Sequence, residues 1–117
     1  MTIVNSILKN VAVIGLGKIG LTLAAVFANN GFNVYGVDIN EEIVNSVNEG
    51  KSHVKNEPGL QELLEISHKN GTLTATSNTE EAVNQSEIVL VIVPLIIDDK
   101  NNIDYHFIDL AVENIAR

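Results

Sequence analysis

A short apolar run, Val11-Ala12-Val13-Ile14, ends abruptly on Gly15-Leu16-Gly17-Lys18-Ile19-Gly20, and this junction restricts the fold more than any other feature of the chain. An uninterrupted apolar segment of this length, bounded by glycine, predicts a strand covered on both faces. From about residue 19 to 29 the pattern changes to a helical one, with Leu23, Val26 and Phe27 as its apolar face and Gly31 as its stop. Strand, glycine turn and helix in direct succession form the first half of a βαβ unit. In such a unit Gly15 permits the tight turn, Gly17 lets the backbone approach a pyrophosphate, and Gly20 lets the helix pack close to the sheet. Backbone N–H groups around Leu16, Gly17, Lys18 and Ile19 then face the phosphates, aided by the helix dipole. The Lys18 side chain is expected to point to solvent more often than to a phosphate.

The same reading supplies an acid. A second strand, residues 33–38, ends on Asp38, 21 positions beyond Gly17. A carboxylate there accepts hydrogen bonds from the 2′- and 3′-hydroxyls of an adenosine ribose and repels a 2′-phosphate. No arginine follows closely to accommodate that phosphate, so NAD is favoured over NADP. A solvated glycine-rich turn would need neither the strand, the helix nor the acid in register.

Further elements keep alternating. Asn40 caps a helix that carries Glu41 and Glu42 in its first turn and Ile43, Val44 and Val47 inward, with Gly50 at its end. Residues 51–56 form a polar loop. Glu57-Pro58 opens another helix, proline suiting the first helical position, with Leu60, Leu63, Leu64 and Ile66 apolar and Gly71 closing it. Residues 72–76 predict a strand, 78–85 a short helix with Ala82 and Val83 inward, and 88–93 the strongest strand of the chain. A polar turn at 98–102 precedes a last helix starting near Asp104, with Phe107, Ile108, Ala111, Val112 and Ile115 on its apolar side. This α/β alternation implies a Rossmann-type parallel sheet with helices on both faces and strand order 3-2-1-4.

Composition narrows the functional classes. Hydrophobic residues make up 45% of 117 and charged residues 19%, enough for one packed core. A formal charge of −8 with only 7 scattered lysines and arginines argues against nucleic acid, which needs clustered cations. The longest apolar run, residues 88–97, is broken by Pro94 and is about half a membrane span. No membrane association and a cytoplasmic location are expected. The absence of cysteine removes thiolate catalysis and cysteine-based metal sites. His53, His68 and His106 lack ligand spacing, and His53 is expected to be a solvated loop residue, with a place near a substrate as the alternative. Asp98-Asp99 is expected to be a solvated turn, so no metal site is assigned.

Three segments extend the reading to a family. Val13-Ile14-Gly15-Leu16-Gly17-Lys18-Ile19-Gly20-Leu21, Gly36-Val37-Asp38-Ile39-Asn40, and Asn48-Glu49-Gly50 followed by Glu57-Pro58-Gly59-Leu60 resemble the UDP-glucose / UDP-N-acetylmannosamine (GDP-mannose) 6-dehydrogenases, the UDP-N-acetylmannosamine branch more than the UDP-glucose branch. The resemblance spans Val11 to the last helix, and the Glu-Pro-Gly-Leu element is its most distinctive part. It implies two successive NAD-dependent oxidations of a nucleotide-sugar C6 alcohol to the carboxylate. It also implies that Asp38 holds the ribose and that Val93 and Pro94 lie near the cofactor. Two positions depart from the family pattern: Lys18 stands where an aromatic residue is usual, and Val93-Pro94-Leu95-Ile96 replaces Val-Pro-Thr-Pro.

In that family the catalytic cysteine, the lysine and the assisting acids lie downstream. Residues 1–117 are therefore expected to form a single, partial dinucleotide-binding domain that carries no catalytic residue and is inactive alone. The nucleotide sugar would be met by the full-length parent. Ending after the fourth strand leaves 88–93 as an open sheet edge, so a homo-oligomer through that strand is expected. Two other readings share the loop and the acid: a non-enzymatic nucleotide-sensing Rossmann module, and another NAD-dependent dehydrogenase.

Overall fold

Alternation within one strand decides the architecture. In a computed structural model, which describes residues 9–92 together with 96–97, 103–104, 109, 112–113 and 115, β1 (Lys9–Ile14) sends Val11 and Val13 to one face of a sheet and Ala12 and Ile14 to the other. All four side chains are buried, so helices must cover both faces. Parallel neighbours follow on either side. β2 (Phe32–Val37) pairs with β1 from Lys9↔Phe32 to Ile14↔Val37, and β4 (Ile88–Val91) pairs from Val11↔Ile88 to Ile14↔Val91. β3 (Leu73–Thr76) lies outside β2, which gives the predicted order β3-β2-β1-β4.

The two faces carry unequal cover. On one, α1 (Lys18–Ala28), α2 (Glu41–Asn48) and α3 (Leu60–Asn70) close over Val11, Val13, Val34, Leu73 and Ala75. On the other, α4 (Thr79–Asn84) buries Ala82 against Ala12, Ile14 and Val37, with Val83 and Ile115 packed alongside. Helix starts match the sequence signals. Asn40 accepts a hydrogen bond from the Glu42 N–H at 2.9 Å, and Asn78 accepts one from the Glu81 N–H at 3.0 Å, each satisfying an otherwise orphaned donor.

Several expectations are corrected in detail. The buried face of α1 consists of Gly20, Leu21, Ala24, Ala25 and Ala28, whereas Leu23 and Phe27 are half-buried and Val26 is 42% exposed. Apart from Leu21 this face is made of small residues, in keeping with the close approach of α1 to the β1–α1 turn at Gly20. In α3 the inward stripe runs through Leu60, Leu64 and Ser67, four and three residues apart, which leaves Ile66 47% exposed. Ser67 is satisfied there: its hydroxyl donates to the Leu63 carbonyl at 2.8 Å and accepts from Asn29 Nδ2 at 2.8 Å, tying α1 to α3.

Pro58 is not the first residue of α3. Gly59 has φ +84° and ψ −14°, outside the helical region, and the Leu60 N–H donates to the Glu57 carbonyl at 3.2 Å. Proline then glycine at the two central positions is the signature of a type II turn, so Glu57-Pro58-Gly59-Leu60 is a turn that delivers the chain into α3. Asp104 does not open a helix either. It lies in β6 (Ile103–Asp104), antiparallel to β5 (Ile96–Ile97), a pairing that suits β-branched isoleucines. Residues 109, 112, 113 and 115 are helical; Ile115 packs inward as expected, and Val112 is exposed. Phe107, Ile108, Ala111 and the turn at 98–102, with Asp98 and Asp99, lie outside the described residues.

At one outer edge of the sheet a side chain caps the backbone of Ala75. Asn48, the last residue of α2, donates from Nδ2 to the Ala75 carbonyl at 2.9 Å and accepts from the Ala75 N–H at 2.8 Å. Thr72 and Thr76 direct their carbonyls to Val34 and Asp38 on the inner side, so Ala75 presents its backbone outward. The Asn48 amide thus takes the place a further strand would occupy.

Candidate dinucleotide site

The loop between β1 and α1 is built from residues with opposite surroundings. Gly15 continues the sheet: its N–H donates to the Val37 carbonyl at 2.7 Å, and its φ of +102° bends the chain away, a conformation that disfavours any side chain. Gly20 faces back onto it. A Cβ there would collide with the Gly15 carbonyl oxygen, so the first turn of α1 can approach the strand only through glycine. Between them Leu16 is fully buried, and its methyl groups would lie 3.0 Å from a Cβ placed on Gly36 of β2.

Both backbone groups of Leu16 are also held. Its N–H donates to Asp38 Oδ2 at 2.9 Å, and its carbonyl lies 2.6 Å from His53 Nε2. This corrects two expectations. The Leu16 N–H anchors the acid and does not face a phosphate. His53 is a half-buried residue against the glycine loop, not a solvated one.

Asp38 is fixed at its second oxygen as well, where Oδ1 accepts from the Asn40 N–H at 2.9 Å. The carboxylate stands at the C-terminal end of β2, beside the loop, with unused lone pairs on both oxygens. Ile39, next to it, is 82% exposed.

Gly17 differs from its neighbours. It caps α1 in an extended conformation, φ −73° and ψ −164°, that any residue can adopt, with no side-chain cap. A Cβ on it would meet nothing within 4 Å. Neither the backbone nor the packing requires glycine at this position. The N–H groups of the first turn behind it have no carbonyl one turn earlier to bond. Lys18 points outward as expected, but not into free solvent: Nζ lies 3.6 Å from Glu57, on the turn that opens α3. Ile19 is exposed.

At the end of β4, the Ile92 N–H donates to the Ile14 carbonyl at 2.7 Å, which brings that strand's C-terminal end to the same loop. Val93 and Pro94 lie outside the described residues. Sequence reasoning missed His53, which sits 37 positions from its partner in a loop without periodicity.

Residues 9–117 match the model of the UDP-glucose/GDP-mannose dehydrogenase family, NAD binding domain. The chain belongs to that family. UDP-N-acetyl-D-mannosamine dehydrogenase of Campylobacter jejuni is 44% identical over 110 residues, 93% of this chain and 26% of that one. Among solved structures, a UDP-glucose dehydrogenase from Pyrobaculum islandicum superposes with a TM-score of 0.91 at 29% identity, covering 100% of this chain and 27% of that chain. A UDP-N-acetyl-mannosamine dehydrogenase from Staphylococcus aureus superposes with a TM-score of 0.83 at 31% identity, covering 92% and 26%. The chain thus spans about a quarter of the length of the family members it matches. NAD is the cofactor of this domain family. No helix among the described residues is long and apolar enough to cross a membrane.

Proposed function

We propose that this chain is the NAD-holding part of a nucleotide-sugar 6-dehydrogenase of the UDP-N-acetylmannosamine branch. The parent enzyme takes the sugar C6 alcohol to the carboxylate in two successive oxidations, with the nicotinamide as hydride acceptor. The open space at Gly17 carries the reading. A glycine that neither φ nor packing demands is explained by what must pass beside it, and a pyrophosphate needs that approach. Gly15, Leu16 and Gly20 shape the loop, Gly17, Lys18 and Ile19 present its outer side, and Asp38 takes the ribose hydroxyls. Val93 and Pro94 are assigned to the nicotinamide side by family resemblance. The 44% identity to the Campylobacter jejuni enzyme supports the branch. Residues 1–117 act as one partial domain in the cytoplasm, with the sugar-binding and catalytic groups, a cysteine among them, supplied by the rest of the parent.

Calorimetric titration of the chain with NAD and NADP tests the reading. NAD is expected to bind at least about tenfold more tightly, the scale of discrimination that one half-buried acid gives against a phosphate dianion. Equal affinities would remove Asp38 from its role. ADP-ribose is expected to retain most of the NAD affinity, since the roles proposed for Gly17 and Asp38 concern the adenosine and pyrophosphate half. Incubation with NAD and UDP-N-acetylmannosamine is expected to yield no NADH.

The proposed self-association runs through β4. Among the described residues no strand of its sheet lies outside it, while β3 carries the Asn48 cap on the opposite edge. Light scattering at high micromolar concentration is expected to give a dimer; a monomer would count against this part.

A further inference from the structure

We propose that His53 is a positioning residue for the dinucleotide loop: by holding the Leu16 carbonyl it aims the Gly17 N–H at the pyrophosphate. The inference rests on the NAD reading of the loop. A carbonyl oxygen only accepts, so at 2.6 Å the His53 Nε2 carries the hydrogen, which both the neutral Nε2–H tautomer and the imidazolium supply. The Leu16 carbonyl and the Gly17 N–H belong to one planar trans peptide and point in opposite directions. Fixing the first fixes the second, and a donor on the carbonyl polarises the amide and strengthens its N–H as a donor.

Among the described residues nothing else near Gly17 does this. Asp38 restrains the peptide before Leu16, and the buried Leu16 side chain anchors the Cα, but the following peptide can still turn about the bonds on either side of it. Gly17 has no side chain and no neighbour within 4 Å of its Cβ position to prevent that turn.

His53 itself is well founded. The preceding residue, Ser52, donates its N–H to Gln61 Oε1 at 2.9 Å and receives the Val54 N–H on its hydroxyl at 3.0 Å. Gln61 in turn donates to the Gly50 carbonyl at 3.0 Å, so the segment is fastened to α3 and to the end of α2. The Lys18–Glu57 pair ties its far end to α1. The 51–59 segment therefore acts as a brace between α3 and the glycine loop.

The test uses the 117-residue chain with His53→Ala and His53→Gln, the latter retaining an amide donor at the reach of Nε2. Ligands are ADP-ribose and adenosine, the second lacking the pyrophosphate. His53→Ala is expected to weaken ADP-ribose by about tenfold, the loss of one aimed donor to a charged group, and adenosine by less than about twofold. His53→Gln is expected to restore ADP-ribose to within about threefold of the parent chain. Unchanged ADP-ribose affinity in His53→Ala, or an equal loss for adenosine, would overturn the proposal. A second measurement needs no ligand. NMR of the free chain is expected to show a through-hydrogen-bond coupling between the His53 ring nitrogen and the Leu16 carbonyl carbon, and a moved Gly17 amide resonance in His53→Ala. If the parent chain bound no nucleotide, the NAD reading would fall. The coupling would still decide the anchor, and its absence would overturn the positioning role by itself.

Discussion

Two sets of residues share the six positions of the glycine loop. Gly15, Leu16 and Gly20 face the sheet, where one bends the strand, one is buried and doubly hydrogen-bonded, and one leaves room for a carbonyl oxygen. Gly17, Lys18 and Ile19 face outward, where packing constrains little. The first set is required for the fold whether or not a nucleotide ever binds. The second, the Lys18–Glu57 pair apart, is explained by a ligand or by solvent. Two glycines three positions apart in one motif therefore have unrelated reasons to be glycine, and substitution should separate them.

The largest effect is expected at Gly20. Gly20→Val drives a branched side chain into the Gly15 carbonyl, and denaturant unfolding should show a loss of at least about 3 kcal/mol or no folded protein. Leu16→Ala comes next. It empties a fully buried site against Gly36 and should cost about 2–5 kcal/mol in the same assay. Gly17→Ala sharpens the contrast: stability should stay within about 1 kcal/mol of the parent, because its backbone suits any residue, while NAD affinity drops by about tenfold or more. A large loss of stability in Gly17→Ala would erase the distinction between the two sets. The smallest effect belongs to Lys18→Ala. It breaks an exposed pair with Glu57 and should shift unfolding by less than about 1 kcal/mol.

Sequence carried the loop, the acid and the strand order because each is written locally. A β-branched run, three glycines at fixed spacing and an acid one strand later need no knowledge of distant residues. The helix cap at Asn40 was legible for the same reason. What was not legible depends on distances between elements. Leu23, Val26 and Phe27 outrank alanine in hydrophobicity, but Gly20 brings α1 so near the sheet that Ala24, Ala25 and Ala28 take the buried face. The four-residue spacing of Gly20, Ala24 and Ala28 was the available signal. Ser67 replaces Ile66 inside because Asn29, from another helix, satisfies its hydroxyl. His53 needed its partner 37 residues away, and no pattern in a polar loop announces that.

Asn48 sets the symmetry open to the molecule. A sheet with two bare edges can add copies at both and grow into a fibre. Here the amide of one side chain mimics a neighbouring backbone at Ala75 and terminates the ladder on that side. The pairing proposed through β4 would then be a self-complementary contact about a two-fold axis, using the same surface on both copies and closing at two. In that proposed dimer, a single asparagine at the end of a helix would separate a contact that propagates from one that stops.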